Sequence, residues 1–240
     1  MKKILSLTLV ILLALVIIPT IAHSSKKEKR SVVLLETNAG NIRIALSDLT
    51  PIHRDNFLTL ASKGYYDGIL FHRVIKDFMI QAGDPESKDA PQGKKLGEGG
   101  PGYDLPAEIV FPYLYHVRGM VAAARESDDV NPTFRSQFYI VWGKKMRPGS
   151  LQKAISYLRE RGIELDRFMI NDYQMLGGTP HLDGAYTIFG EVIEGLDIVK
   201  YIQAQPTDSC DRPIEDIVIK HATIEHISED ARVKFNNISF

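Results

Sequence analysis

The residues best suited to chemistry lie in one stretch, residues 71–84, which reads FHRVIKDFMIQAGD. Within it Arg73 supplies a fixed cation and Gln81 supplies an amide. Phe78 and Met79, which lie between them, are apolar. The stretch has no nucleophile and no set of metal ligands, so it is poorly suited to cleaving a bond. It favours a reaction that breaks no bond, in which an apolar ring is held while one amide nitrogen accepts a hydrogen bond.

This stretch resembles the signature of the cyclophilins, the cyclophilin-type peptidyl-prolyl cis-trans isomerases. The resemblance implies that Arg73 is the catalytic arginine, that Phe78 and Met79 line the proline pocket, and that Gln81 bonds the substrate backbone. Strand alternation places Met79 and Gln81 on one face and Phe78 on the other. The position of Phe78 therefore depends on the resemblance alone or on a bend at the start of the strand.

Two further blocks carry the same resemblance. The block RSQFYI is similar to the family's SQFFI segment, in which Gln137 and Tyr139 occupy site positions. Tyr139 replaces the usual Phe, and its hydroxyl must reach the rim of the pocket or find a partner. The block GMVAAAR resembles the strand whose end lines the substrate groove, which assigns Ala124 and Arg125 to that groove.

The last block, HLDGAYTIFG, resembles the family's WLDGKHVVFG, and Leu182 matches a wall of the pocket. It departs from the family at two positions that edge the pocket. His181 stands where many members have Trp, and Tyr186 stands where many have His. Members that lack this Trp commonly bind cyclosporin poorly, so we expect weak inhibition by that drug.

The elements around these blocks indicate a mainly β fold. Residues 31–36 and 41–46 predict a β-hairpin, and Thr50 and Pro51 predict the N-cap and first position of a helix that Gly64 ends. We expect further strands near residues 69–74, 78–82, 119–123, 136–142, 186–192 and 214–225, and a second helix over residues 196–203. Short strands around two helices favour a closed antiparallel barrel. The resemblance implies an eight-stranded barrel capped by a helix at each end.

One segment, residues 144–180, interrupts the resemblance and predicts a helical insertion. Ser150 is a candidate N-cap, Gly162 a candidate stop, and further helix is expected before Gly177. The apolar residues between the first two recur at helical spacing: Leu151, Ala154, Ile155 and Leu158. Two interpretations stay open, a tolerated surface elaboration and an element that shapes substrate access.

The chain also predicts its domain boundaries. Residues 1–24 have the basic start, apolar run and small-residue end of an export signal, while the basic residues that follow leave a retained anchor or a cytosolic start open. A basic linker (25–30), the cyclophilin-like domain (31–226) and a tail (227–240) follow. We therefore expect an exported, periplasmic protein, attached to a membrane only if residues 1–24 are retained.

Bulk properties exclude several classes of function. The formal net charge of −1 falls to −3 without Lys2 and Lys3, so no general attraction to nucleic acid is expected. Cys210 is the single cysteine, which rules out an intramolecular disulfide. The histidines lack metal-ligand spacing, and the G-x-G-x-x-G match at residues 97–102 lies in a loop context, so we expect neither a metal nor a cofactor.

The resemblance thus implies an enzyme that accelerates rotation about Xaa-Pro bonds in proline-containing polypeptides. Together with the predicted export signal, it leads us to expect a monomer that acts while exported proteins fold. A cyclophilin-fold binding module or chaperone with little catalysis remains the alternative. A ligand-carrying barrel of the lipocalin type shares the architecture but leaves the matching blocks unexplained.

Overall fold

The computed structural model describes residues 30–125 and 135–227. In that part the chain forms eight strands: β1 (Arg30–Thr37), β2 (Gly40–Leu46), β3 (Arg73–Ile75), β4 (Met79–Ala82), β5 (Met120–Ala123), β6 (Phe138–Val141), β7 (Ile188–Glu194) and β8 (Ile219–Ile227). It forms four α-helices: α1 (Pro51–Ser62), α2 (Pro148–Glu160), α3 (Arg167–Met175) and α4 (Leu196–Ile202). The predicted signal or anchor, most of the basic linker and most of the tail lie outside the described residues.

The strands make one antiparallel sheet in the order β3-β4-β6-β5-β7-β2-β1-β8. This confirms the mainly β, eight-stranded fold, but the predicted full closure of the barrel was overstated. The edge strands β3 and β8 do not pair with each other as strands. A single bridge between Leu70 and Val218, with a hydrogen bond from Phe71 N to Ile217 O (2.8 Å), brings the edges together. The sheet therefore curls on itself without a continuous ladder around its circumference.

The predicted hairpin and both predicted helices outside the insertion are confirmed. Thr50 is the N-cap residue of α1 and Pro51 its first residue, as predicted, but the side chain of Thr50 does not cap the helix. The Thr50 hydroxyl donates to Ile188 O (3.2 Å) and makes no cap bond to α1. Instead, the carboxylate of Glu108 accepts from the backbone N of Ile52 (3.1 Å) and of His53 (2.9 Å). An acidic group at a helix N-terminus satisfies donors that the helix itself leaves unpaired.

The two faces of the sheet bury different apolar clusters. On β4 and β6 the inward side chains, including Ile80 and Phe138, join the main core with α1 and α4. The alternate side chains, including Met79 and Tyr139, join a second cluster on the outer face. The period of two along each strand thus separates the residues that stabilise the barrel from those that form the outer site.

The insertion contains the two helices α2 and α3. Asp166 caps α3, because its carboxylate accepts from Phe168 N (2.7 Å) and Met169 N (2.9 Å). Three buried side chains of these helices, Leu151, Met169 and Tyr173, belong to the outer cluster that also holds Met79 and Tyr139. Within residues 30–125 and 135–227, no helix is long and apolar enough to cross a membrane.

Candidate functional site

A row of residues across four strands forms the base of the candidate site. Arg73 on β3 is the register partner of Gln81 on β4, and Gln81 is the partner of Tyr139 on β6. Tyr139 in turn is the partner of Ala122 on β5. Directly opposite residues on neighbouring strands point to the same face of a sheet. The sheet therefore brings the cation, the amide and the aromatic ring together, although they are far apart in sequence.

Phe78 reaches the same face because the chain bends before β4. Asp77 has a left-handed backbone (φ 63°), so Phe78 precedes the strand rather than continuing its alternation. The carbonyl of Phe78 accepts from Trp142 N (2.9 Å) and Gly143 N (3.0 Å), which holds the bend against the residues that follow β6. The face that strand alternation indicated for Phe78 was therefore wrong, and a bend accounts for its place.

A cavity of about 540 Å³ opens beside this row. Nine of the eleven predicted site residues line it: Arg73, Phe78, Met79, Gln81, Ala124, Arg125, Tyr139, Leu182 and Tyr186. The other two, Gln137 and His181, lie behind or beside the lining. The ring of His181 stacks on Phe78 with centroids 5.6 Å apart. Burial, with the nearby ring of His116, lowers the pKa of His181.

Arg73 lies at the mouth of the cavity, with 44% of its side chain exposed. Its Nε is 3.5 Å from Asp211 Oδ2, and its Nη1 is 3.5 Å from Gln81 Oε1. Both separations are at the long limit of a charge-assisted hydrogen bond. The guanidinium is therefore oriented by two acceptors, and the side chain lines the cavity.

Gln137 fastens a glycine-rich loop to the site. Its side-chain nitrogen donates to Gly97 O (2.9 Å) and Gly99 O (2.9 Å). Gly97 N also donates to the buried carboxylate of Asp84. Gly97, the first residue of the G-x-G-x-x-G match, thus lines the cavity.

Two rings on the opposite side are held by neighbouring groups. The guanidinium carbon of Arg125 lies 4.3 Å above the centroid of the Tyr186 ring, a cation–π contact. Tyr139 contacts Tyr186 edge-on at 5.8 Å. The Tyr139 hydroxyl turns away from the cavity and lies 2.9 Å from His116 Nε2. Burial raises the pKa of Tyr139 well above its usual range. The hydroxyl that the sequence left unplaced therefore has a buried partner.

His72 precedes Arg73 in the chain and also lines the cavity. It is buried, and desolvation lowers its pKa to about 4, so its imidazole is neutral at physiological pH. A neutral ring beside Arg73 adds no repulsion to the cation at the mouth of the cavity.

Several lining residues were not predicted as site residues: His72, Lys94, Lys95, Leu96, Gly97, Cys210 and Arg212. Lys94, Lys95 and Leu96 directly precede the G-x-G-x-x-G match, which the sequence indicated as loop. Nothing in the sequence pointed to Cys210 and Arg212. Arg212 is placed by hydrogen bonds to Ala90 O and Pro91 O (each 2.8 Å), which arise only when two distant loops meet.

Comparisons with known proteins give a consistent result. Residues 32–224 match the family model described as cyclophilin type peptidyl-prolyl cis-trans isomerase/CLD. The chain is 33% identical over 199 residues to the peptidyl-prolyl cis-trans isomerase-like 2 protein of Rhizopus delemar, covering 81% of this chain but only 29% of that protein's length. It is 34% identical over 196 residues to a protein of Staphylococcus aureus strain USA300 that is provisionally named a peptidyl-prolyl cis-trans isomerase, covering 80% of this chain and 91% of that protein.

Two crystal structures of a Cryptosporidium parvum cyclophilin type peptidyl-prolyl cis-trans isomerase share the fold. One superposes with a TM-score of 0.58 at 28% identity and covers 82% of this chain and 98% of that chain. The other, obtained in the presence of the dipeptide Ala-Pro, superposes with a TM-score of 0.56 at 28% identity and covers 81% and 98%.

Proposed function

The chain belongs to the cyclophilin-type peptidyl-prolyl cis-trans isomerase family. We propose that its cavity binds a Xaa-Pro segment and that Arg73 promotes rotation about the prolyl bond. The observation that carries the proposal is the row of Arg73, Gln81 and Tyr139 beside a cavity that has one apolar wall. A cation facing an apolar wall suits a neutral ring joined to an amide nitrogen.

The reaction explains why such a pocket needs a cation. Delocalisation of the nitrogen lone pair into the carbonyl gives the peptide bond a rotational barrier of about 18–20 kcal/mol. As the prolyl bond twists, that lone pair localises on nitrogen and becomes a better acceptor. A donor directed at the nitrogen therefore stabilises the transition state more than the planar ground state. In our proposal an Nη of Arg73 is this donor.

Arg73 accounts for only part of the required acceleration. Uncatalysed prolyl isomerisation takes tens to hundreds of seconds, and reaching milliseconds requires a barrier lower by roughly 5.5–7 kcal/mol. A charge-assisted hydrogen bond contributes about 1.5–3 kcal/mol. The remainder is assigned to exclusion of water and to a preorganised hold on the twisted chain.

The apolar wall of the cavity supplies that hold. Phe78, Met79, Tyr139 and Leu182 line it, and Met79 and Tyr139 are buried against the outer cluster. In the proposal the proline ring rests on these four side chains, while Gln81 bonds the substrate backbone. Ala124 and Arg125 line the groove that receives the residues before proline.

The proposal also covers the substrates of the enzyme and its cellular location. We propose that the clients are proline-containing polypeptides that fold after export and that the enzyme acts as a monomer in the periplasm. The support is the apolar run that follows Lys2 and Lys3. Mass spectrometry of the mature N-terminus tests this: loss of residues 1–24 is expected, and an intact N-terminus would show retention as an anchor or a cytosolic protein.

An isomerisation assay on a Xaa-Pro peptide tests the role of Arg73. We expect Arg73→Ala to lower kcat/KM by roughly tenfold or more, because it removes a charge-assisted donor made mainly in the transition state. Arg54→Ala is the matched control, because Arg54 pairs with Asp48 and Asp55 at the surface of α1. Equal activity of wild type and Arg73→Ala would remove Arg73 as the catalyst. Peptide binding without any isomerisation by the wild type would support the alternative of a binding module.

A further inference from the structure

The insertion is packed tightly against the block that supplies the edge of the pocket. Helix α2 contacts the short 3-10 helix Pro180–Leu182, which includes His181 and Leu182. The turn between α2 and α3 lies against Gly184, where a Cβ would come within 2.6 Å of Ile163 Cδ1. The two helices are therefore in direct contact with the segment that carries two predicted site residues.

The segment that follows α3 is equally close to the sheet. Gly178 forms bridges to Val117 and Lys144, and its φ of 152° is one that residues with a side chain rarely adopt. A Cβ there would meet His116 O at 2.3 Å and the Tyr173 ring at 2.7 Å. Thr179 N donates to His116 O (2.9 Å). The insertion thus rejoins the barrel at His116, directly behind the cavity.

A chain of hydrogen bonds runs from α3 to the cavity wall. The hydroxyl of Tyr173 on α3 donates to Asp183 Oδ2 (2.6 Å). Asp183 Oδ1 lies 2.9 Å from His116 Nδ1 and also accepts from His116 N (2.8 Å). His116 Nε2 lies 2.9 Å from the hydroxyl of Tyr139. All four residues are buried, and Tyr139 is the only one of them that lines the cavity.

The order of donors follows from the chemistry of these groups. A carboxylate only accepts, so it pairs with Nδ1–H of His116. When the ring carries a single proton, that proton is therefore on Nδ1, and Nε2 accepts from the hydroxyl of Tyr139. The chain of partners therefore fixes the tautomer of His116 and the direction of the Tyr139 hydroxyl. The ring of Tyr139 is held with its face available to the cavity and its polar end turned away.

The buried carboxylate makes the chain sensitive to its distal member. Asp183 accepts three hydrogen bonds in a site that is closed to solvent, and Tyr173 supplies one of them. Removing one donor from a buried carboxylate leaves an uncompensated acceptor, which the remaining partners must shift to satisfy. The nearest adjustable partner is His116, and its movement displaces Tyr139.

We propose that Tyr173, supplied by the insertion, is a positioning residue that acts through Asp183 and His116 to set the Tyr139 wall of the pocket. The insertion is then an element of substrate binding. This inference depends on the proposed function only in taking the cavity as the place where the proline segment binds.

A double-mutant cycle with Tyr173→Phe and Tyr139→Phe tests the proposal, because each change removes one hydroxyl and keeps the ring. We expect each single variant to lower kcat/KM by about fivefold, mainly through KM, since a displaced wall weakens ground-state and transition-state binding alike. The double variant is expected to match Tyr139→Phe alone, because Tyr173 acts only through the Tyr139 hydroxyl.

Tyr115→Phe is the matched control. The Tyr115 hydroxyl donates to Asp172 Oδ2 on α3 (2.5 Å). This variant therefore also removes a tyrosine–aspartate hydrogen bond to the inserted helix. Asp172, however, is not part of the hydrogen-bond chain to Tyr139. Its kcat/KM is expected to stay within about twofold of wild type. A loss in Tyr173→Phe no larger than in this control, or losses that multiply in the double variant, would overturn the proposal.

Two further measurements test the role of Tyr173 independently of the catalytic role of Arg73. Nitrogen NMR of His116 in the wild-type protein should find Nδ1 protonated and Nε2 unprotonated, and a proton on Nε2 would overturn the proposed order. The Kd of a Xaa-Pro peptide should rise in Tyr173→Phe even when Arg73 is also replaced by Ala. The contribution of the insertion is thereby separated from the catalytic role of Arg73.

Discussion

The side-chain nitrogen of Gln81 donates to the side-chain oxygen of Gln137 at 3.0 Å, and both side chains are buried. Because the nitrogen of Gln137 is occupied by Gly97 O and Gly99 O, its oxygen must face Gln81. The oxygen of Gln81 is consequently left facing Arg73. One amide thus fixes the orientation of a second amide and, through it, of the guanidinium.

Replacing Gln137 should therefore impair the site without touching the cavity lining. We expect Gln137→Leu to lower kcat/KM by about tenfold, because Gln81 loses its acceptor and the glycine loop loses two donors. Isomerisation kinetics on a Xaa-Pro peptide measure the effect. Gln205→Leu is the control, because Gln205 follows α4 and its side-chain nitrogen donates to the nearby Tyr201 O. Equal kinetics in the two variants would contradict the argument.

His72 should make the protein less stable in acid. Burial lowers its pKa to about 4 from an ordinary value near 6.5, so the unfolded chain binds a proton more readily than the folded one. The stabilisation is complete above about pH 6.5 and is lost as the pH falls through about 4. Urea unfolding across this window should show that the free energy of unfolding of wild type falls by about 2–4 kcal/mol more than that of His72→Gln. His226→Gln controls for removal of an exposed histidine, and parallel pH profiles for wild type and His72→Gln would contradict the assignment.

Glu191 on β7 should have the opposite effect at high pH. Burial raises its pKa to about 8, so the folded protein retains a proton that the unfolded chain releases near pH 4.5. The stabilisation is complete below about pH 4.5 and is lost as the pH rises through about 8. The free energy of unfolding of wild type should fall by about 3–5 kcal/mol relative to Glu191→Gln between pH 5 and pH 9. Glu98→Gln is the surface control, and an unchanged pH profile in Glu191→Gln would show that another group titrates.

The ring at position 181 should govern cyclosporin inhibition. His181 is a small ring stacked on Phe78 at the edge of the pocket, where many family members present the larger indole of Trp. We expect weak inhibition of wild type, and His181→Trp should strengthen it by about tenfold, because an indole adds apolar contact area and an N–H donor. Inhibition of the isomerase assay measures this. Nanomolar inhibition of wild type would refute the expectation.

The local periodicity of the sequence was sufficient for the elements and for part of the site. Alternation along β4 places Met79 and Gln81 on one face, and the structure has both on the cavity. The hairpin and the helix that begins at Pro51 follow from turn and capping chemistry within a few residues. The family blocks then brought together nine residues that line a single cavity.

What only the tertiary structure decided involves contacts between distant segments. The left-handed Asp77 and the two amides that follow β6 determine the face of Phe78. The side chain of Glu108, rather than that of Thr50, satisfies the start of α1. The partner of the Tyr139 hydroxyl and the link from Tyr173 to Asp183 depend on how the insertion packs against the barrel. A sequence pattern reports which face a residue occupies, because that depends on its neighbours along the chain. It does not report which distant residue meets that face, because that depends on the packing of the whole domain.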